Sequence, residues 1–308
     1  MSPRVGALLA FAALLAALPL TFPNPFFFEV AILVALNAIV CVGLNLLIGY
    51  AGQISLGHAG FYALGGYGSA LFVARLGWPA WLALPAAVAA VALLAWLVGR
   101  PTLRLKGHYL AMATLGLGVI VSIVLTNEDR ITGGPDGMPV PPLELFGQVL
   151  KGEPAWYAVV AALLWLTVLG ALHLVDSPAG RALRALHGSE VAAETLGIDA
   201  ARWKLRVFVL SAAIAAAAGA LTAHYAGFIT PAKASFLHSV ELVIMVVFGG
   251  MASIWGALAG AAVLTLLPQF LTALKDYEMT VFGAVLIATM VFMPRGIVPT
   301  LARLLARH

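Results

Sequence analysis

The sequence predicts an all-α, polytopic transmembrane helical bundle, and three observations carry that reading. Of the 308 residues, 62% are hydrophobic and 10% are charged, against about 25% charged in soluble domains. Apolar runs recur along the whole chain, many of them near the roughly 20 residues a helix needs to cross the hydrocarbon core. The remaining charges gather in a few connections between those runs. So little charge cannot cover a water-facing surface, so residues 1–308 are expected to form a single transmembrane domain in contact with membrane lipid. The net charge of +4 then belongs to loops at a membrane face and implies no nucleic-acid partner.

Taken in order, ten hydrophobic segments lie near residues 5–21, 27–49, 58–76, 80–99, 108–126, 154–175, 206–226, 238–251, 253–273 and 279–294. The first has the outline of a secretory signal, with Arg4 ahead of it and small residues at Ala16-Ala17. It is read as an uncleaved span, because the run continues through Leu20 and counting it gives a consistent topology. Cys41 lies mid-span, where a free cysteine behaves as a small buried side chain. The stretch Gly49–Gly60 is crowded with Gly, Gln, Ser and His and predicts irregular backbone. Such backbone is tolerated at membrane depth only against protein or a water-filled cavity. The eighth segment is short and runs into Gly249-Gly250, which predicts a broken or re-entrant piece. Eight spans with two re-entrant pieces fit as well as ten and give the same sidedness.

The loops set orientation. Arg4, Arg100, Arg104, Lys106, Arg181, Arg184, Arg202, Lys204, Arg206, Arg295, Arg303 and Arg307 all fall on one side, which the positive-inside rule makes cytoplasmic together with both termini. The loop 127–153 holds Glu128, Asp129, Asp136, Glu144 and Glu153 against Arg130 and Lys151 and falls outside. Its Thr132–Pro142 portion is dense in turn formers and predicts a compact fold.

The polar segment 177–206 interrupts the apolar pattern. Ser177 before Pro178 is an N-cap followed by proline at the first helical position. Ser189 caps a second short helix with Glu190 in its first turn, and Gly197 supplies a stop. Glu190 and Glu194, four apart, share one face. Two capped helices at a membrane surface form a docking device for a soluble partner. Arg181, Arg184, Glu190, Glu194 and Gly197 are the residues expected to couple to it.

Catalysis is not expected. The chain has neither a phosphate-cradling G-x-x-x-x-G-K-[ST] loop nor a G-x-S-x-G turn, and its seven histidines lack metal-ligand spacing. No catalytic residue, no metal site and no cofactor of its own is assigned. Polar residues inside spans are costly and call for a role. Asn37 and Asn45 suit bonds between helices, and Asn45 also joins Gln53, Ser55, His58 and Glu241 as candidates for lining a translocation pathway. For Gln53, Ser55 and His58, cavity lining and structural capping stand as equal alternatives; Glu241 begins a short span and also suits the interface. Gly256-x-x-x-Gly260 fits close helix packing. No row of acids or bases crosses the spans, which disfavours a secondary carrier or channel driven by its own charges.

Several motifs carry a family resemblance. They are Gly43-Leu-Asn-Leu-Leu-Ile-Gly-Tyr-Ala-Gly-Gln-Ile-Ser-Leu-Gly-His-Ala-Gly60, Arg104-Leu-Lys-Gly-His-Tyr-Leu-Ala-Met-Ala-Thr-Leu-Gly116, Thr132-Gly-Gly-Pro-Asp-Gly137, Ser177–Gly197 and Gly249-Gly-Met-Ala-Ser-Ile-Trp-Gly-Ala-Leu-Ala-Gly260. In this order they resemble the LivM-type permeases of branched-chain amino-acid ABC importers. His187-Gly-Ser189 departs from the charged run more usual there. The resemblance implies an inner-membrane permease subunit paired with a related second permease. Two cytoplasmic ATPase subunits, which carry the ATP and Mg, would bind the coupling loops. A periplasmic solute-binding protein would deliver leucine, isoleucine, valine or a related solute. Urea and short amides are the alternative substrates.

Overall fold

The structure, a computed structural model, describes residues 3–271 except 104, 106 and 146, and isolated positions beyond. Arg104, Lys106, Arg295, Arg303 and Arg307 lie outside the described residues, as does most of the tenth hydrophobic segment.

Apolar runs become helices because a helix satisfies its own backbone polar groups, which lipid cannot do. Helices α1 (Pro3–Thr21) and α2 (Pro25–Asn45) open the chain, and α2 continues into a π-helical turn, Leu46–Tyr50. Then come α3 (His58–Leu76), α4 (Ala80–Thr102), α5 (His108–Asn127) and the single turn α6 (Asp129–Thr132). The connection onward holds strand β1 (Met138–Pro139) and the hairpin β2 (Glu144–Leu145) with β3 (Gln148–Val149). Helix α7 (Glu153–Asp176) leads to the short helices α8 (Pro178–Gly188) and α9 (Glu190–Thr195). Long helix α10 (Ala200–Ala226) is followed by β4 (Phe228–Ile229), α11 (Phe236–Gly249) and α12 (Ile254–Leu271). The first nine predicted segments coincide with α1–α5, α7 and α10–α12.

Among the described residues five helices are long and apolar enough to cross a membrane: Pro25–Tyr50, α4, α5, α7 and α10. Helix α3 is less apolar because it carries Ser69 and the glycine and tyrosine residues that face its neighbours. Burial separates an inner from an outer layer. In an 18-residue apolar stretch of each, 78% of the residues are buried for Pro25–Tyr50 and 61% for α10, against 28% for α4 and for α5. The outer helices turn most of their apolar surface away from protein, as lipid contact requires.

Without a hydrophobic force between helices in lipid, close approach through small residues holds the centre. A Cβ on Gly65 of α3 would lie 2.1 Å from the Ala216 carbonyl of α10, and one on Gly219 would lie 1.9 Å from the Tyr62 carbonyl. The Gly256–Gly260 pair does the same for the α11–α12 hairpin: a Cβ on Gly260 would meet the Met245 carbonyl at 2.0 Å.

The loop after α5 is tied down. Thr132 Oγ1 donates to the Leu125 carbonyl at 2.7 Å, Val140 is buried, and β1 pairs antiparallel with β4. Because α7 and α10 each run the length of the bundle between this loop region and α8–α9, the two polar connections stand at opposite ends.

Candidate functional site

At one end, α8 and α9 take the predicted capped form. Ser177 Oγ accepts from the Ala179 and Gly180 N–H groups at 3.1 and 3.4 Å. Ser189 Oγ accepts from Ala192 N–H at 3.3 Å. Gly197 has φ +80°, a left-handed stop that glycine adopts without strain, and Ile198 N–H returns to the Ala193 carbonyl at 3.0 Å. Helix α8 buries Ala182, Leu183 and Leu186 and leaves Arg181 exposed. Arg184 donates to the Val175 carbonyl at 2.9 Å, capping the end of α7.

The two glutamates differ in their surroundings. Glu190 pairs with Lys204 Nζ, whose side chain is only 5% exposed. That pair fastens α9 to the first turns of α10 and gives Glu190 a partner within the chain. Glu194 is exposed. Beside it Val191 and Leu196 are 68% and 79% exposed, an apolar pair in a position where water contact is unfavourable.

The glycine-rich break lies against this end. The position a Gly52 Cβ would take is 3.3 Å from His187 Nδ1 of α8. The π-helical turn leads into non-helical backbone over 51–57, and the amides where α3 starts need acceptors beyond the helix's own ladder. Neighbouring helices supply the acceptors. Leu56 N–H donates to Thr114 Oγ1 of α5 and Ala59 N–H to Ser239 Oγ of α11, both at 3.1 Å. Ser55 Oγ bonds His58 Nδ1 at 2.9 Å, and His58 Nε2 bonds Ser211 Oγ of α10 at 2.7 Å. His58 also meets the Phe61 and Phe208 rings edge-on. Ser55 and His58 therefore cap and join helices. Gln53 is 3% exposed, and neither its side-chain N nor its O has a hydrogen-bond partner among the described residues.

Two other candidates are placed elsewhere. Asn45 is fully buried, and both ends of its carboxamide bond the turn between α11 and α12. Glu241 lies on α11, with its side chain 59% exposed and 3.3 Å from His238 Nδ1. Asn37 joins α2 to Thr265 Oγ1 of α12 at 2.9 Å, the interhelical bond expected of it.

At the opposite end, a cavity of about 460 Å³ opens between α2, α3, α7 and α10. Glu29 of α2, Glu153 of α7, Tyr225 of α10 and Lys233 of the α10–α11 connection line it, with Leu33 and Ile229 among its apolar walls. Tyr225 donates to Glu153 Oε2 at 2.7 Å. Sequence reading missed Glu29 and Lys233, each a lone charge near a span end. It also missed Thr114, Ser211 and Ser239, because a hydroxyl in an apolar helix usually bonds its own preceding turn.

A helical bundle built on intramembrane glycine contacts, with helices capped at one end and a charged cavity at the other, defines a polytopic membrane protein. The chain belongs to the family described as the branched-chain amino acid transport system / permease component, whose model matches residues 26–290. It is 35% identical over 259 residues to the high-affinity branched-chain amino acid transport system permease protein LivM of Escherichia coli strain K12, covering 76% of this chain and 61% of that one. It is 30% identical over 213 residues to LivH of the same organism, the permease protein of a transport system so named, covering 66% and 68%. A probable LivM of Methanocaldococcus jannaschii is 24% identical over 216 residues, covering 65% of this chain and 62% of the relative. The chain thus spans about three fifths of the length of the LivM relatives it matches. No solved structure matches it significantly.

Proposed function

We propose that the chain is a permease subunit of an ATP-driven importer and forms, with a related second permease, an inner-membrane pathway for branched-chain amino acids. The observation that carries the reading is the α8–α9 pair. It is capped at each helix start, clamped to α10 by Glu190 and Lys204, and presents Glu194, Val191 and Leu196 to solvent. Such a pair transmits a push from a soluble motor into the bundle. Its neighbour His187 stands against Gly52, at the break between α2 and α3. Similarity to both LivM and LivH supports a pair of related permeases. ATP and Mg belong to two cytoplasmic ATPase subunits, and a periplasmic binding protein delivers the solute. Loops rich in Arg and Lys, and both termini, face the cytoplasm.

The test is co-expression with candidate ATPases and binding protein, purification of the complex, and leucine uptake into vesicles. ATP-dependent uptake that needs every component supports the importer. Uptake by the chain without ATPases, driven by an ion gradient, replaces it with a secondary carrier. Uptake of urea or short amides in place of leucine changes the substrate alone.

A further inference from the structure

We propose that the cavity between α2, α3, α7 and α10 is a receiving site for a zwitterionic amino acid with an aliphatic side chain; this rests on the importer reading above. Its volume of about 460 Å³ lies within the roughly 300–1,000 Å³ of pockets that take small ligands. It stands at the end of the bundle that carries the β1–β4 pair, opposite α8–α9, where a delivered solute enters.

The charges define the ligand class. An amino acid carries an ammonium and a carboxylate on adjacent atoms, and recognition needs partners of both signs within one cavity. Glu29 and Glu153 supply the negative charge, and Lys233 the positive one. These residues come from three separate elements that the fold brings together. Leu33 and Ile229 provide apolar wall for a branched side chain. Tyr225 holds Glu153 by its hydroxyl, which fixes one carboxylate oxygen and leaves the other for a ligand. A neutral amide can hydrogen-bond to these groups but carries no charge to pair with either sign, and a simple cation or anion would leave one sign without a partner. The cavity therefore favours an amino acid over urea.

The experiment uses the complete transporter in vesicles with saturating leucine-loaded binding protein. Glu29→Gln, Glu153→Gln and Lys233→Gln are compared with wild type. Glutamine at 153 retains an acceptor for Tyr225, so the fold survives the loss of charge; co-purification with the partner subunits checks this. The expected result is leucine uptake reduced about tenfold or more in Glu153→Gln and Lys233→Gln, the size of effect of removing a charged hydrogen-bonding partner. Affinity for the loaded binding protein, measured on the same vesicles, should stay within about twofold of wild type. Unchanged uptake in all three variants overturns the proposal. So does an uptake loss matched by weaker binding-protein docking, which would make these charges part of a docking surface. Failure of wild type to take up leucine would instead sink the importer reading.

Discussion

The carboxamide of Asn45 holds the backbone of Ala252 in place: its Oδ1 accepts from the Ala252 N–H at 3.0 Å, while its Nδ2 donates to the next carbonyl, of Ser253, at 2.7 Å. Ala252 has φ +56°, a left-handed conformation that disfavours a residue with a Cβ. One side chain at the end of α2 thus fixes the turn between α11 and α12. Asn45→Ala should lower stability by about 2 kcal/mol, because it leaves a part-buried N–H and a part-buried carbonyl without their partner. Asn37→Ala, which loses a single interhelical bond, should cost about 0.6 kcal/mol. Thermal unfolding of the two variants in one detergent checks the order; a larger loss for Asn37→Ala would contradict it.

Glu190 and Glu194 should respond differently to charge reversal. Glu190→Lys leaves the nearly buried Lys204 facing a second positive charge and should cost about 3 kcal/mol. Glu194→Lys, at an exposed position, should change stability by no more than about 0.5 kcal/mol yet weaken capture of the proposed ATPases. Pull-down alongside thermal unfolding separates the two effects. Stable Glu190→Lys protein would show that the pair with Lys204 does not hold α9.

Gly197→Val should strain the stop after α9. A Cβ there meets no atom within 4 Å, so the cost is conformational, roughly 1–2 kcal/mol for a left-handed residue. Gly197→Asn should be milder, since asparagine tolerates that conformation. ATPase association should fall in the order glycine, asparagine, valine. Equal association across the three would remove this turn from coupling.

Orientation is open to thiol labelling. Lys151→Cys and Leu196→Cys replace exposed residues at opposite ends of the bundle, and the native Cys41 is fully buried. An impermeant reagent on intact cells should label position 151, and position 196 only after permeabilisation. The reverse pattern would invert the topology.

Much of this architecture is legible in the sequence because its causes are local. Apolar length marks the helices, and Ser177, Ser189 and Gly197 announce caps and a stop within a few residues of where they act. The glycine-rich stretch after α2 declares irregular backbone for the same reason. What stays hidden depends on partners remote in sequence. Asn45 meets a turn 207 residues away, and Glu190 reaches Lys204 across a helix break. Glu29, Glu153 and Lys233 share a cavity only once three elements have packed. A polar residue in a span signals that a partner exists; packing alone decides which.

The amides at the start of α3 carry one more consequence. Leu56 and Ala59 donate to hydroxyls on two other helices, and His58 reaches a third. Moving α3 alone would leave the part-buried Leu56 N–H and the buried Ala59 N–H without acceptors. Irregular backbone here is therefore not soft backbone. In hydrogen–deuterium exchange the amides of Leu56 and Ala59 should remain protected as long as those of the regular helices around them, and α3, α5, α10 and α11 should shift as one block during any transport cycle.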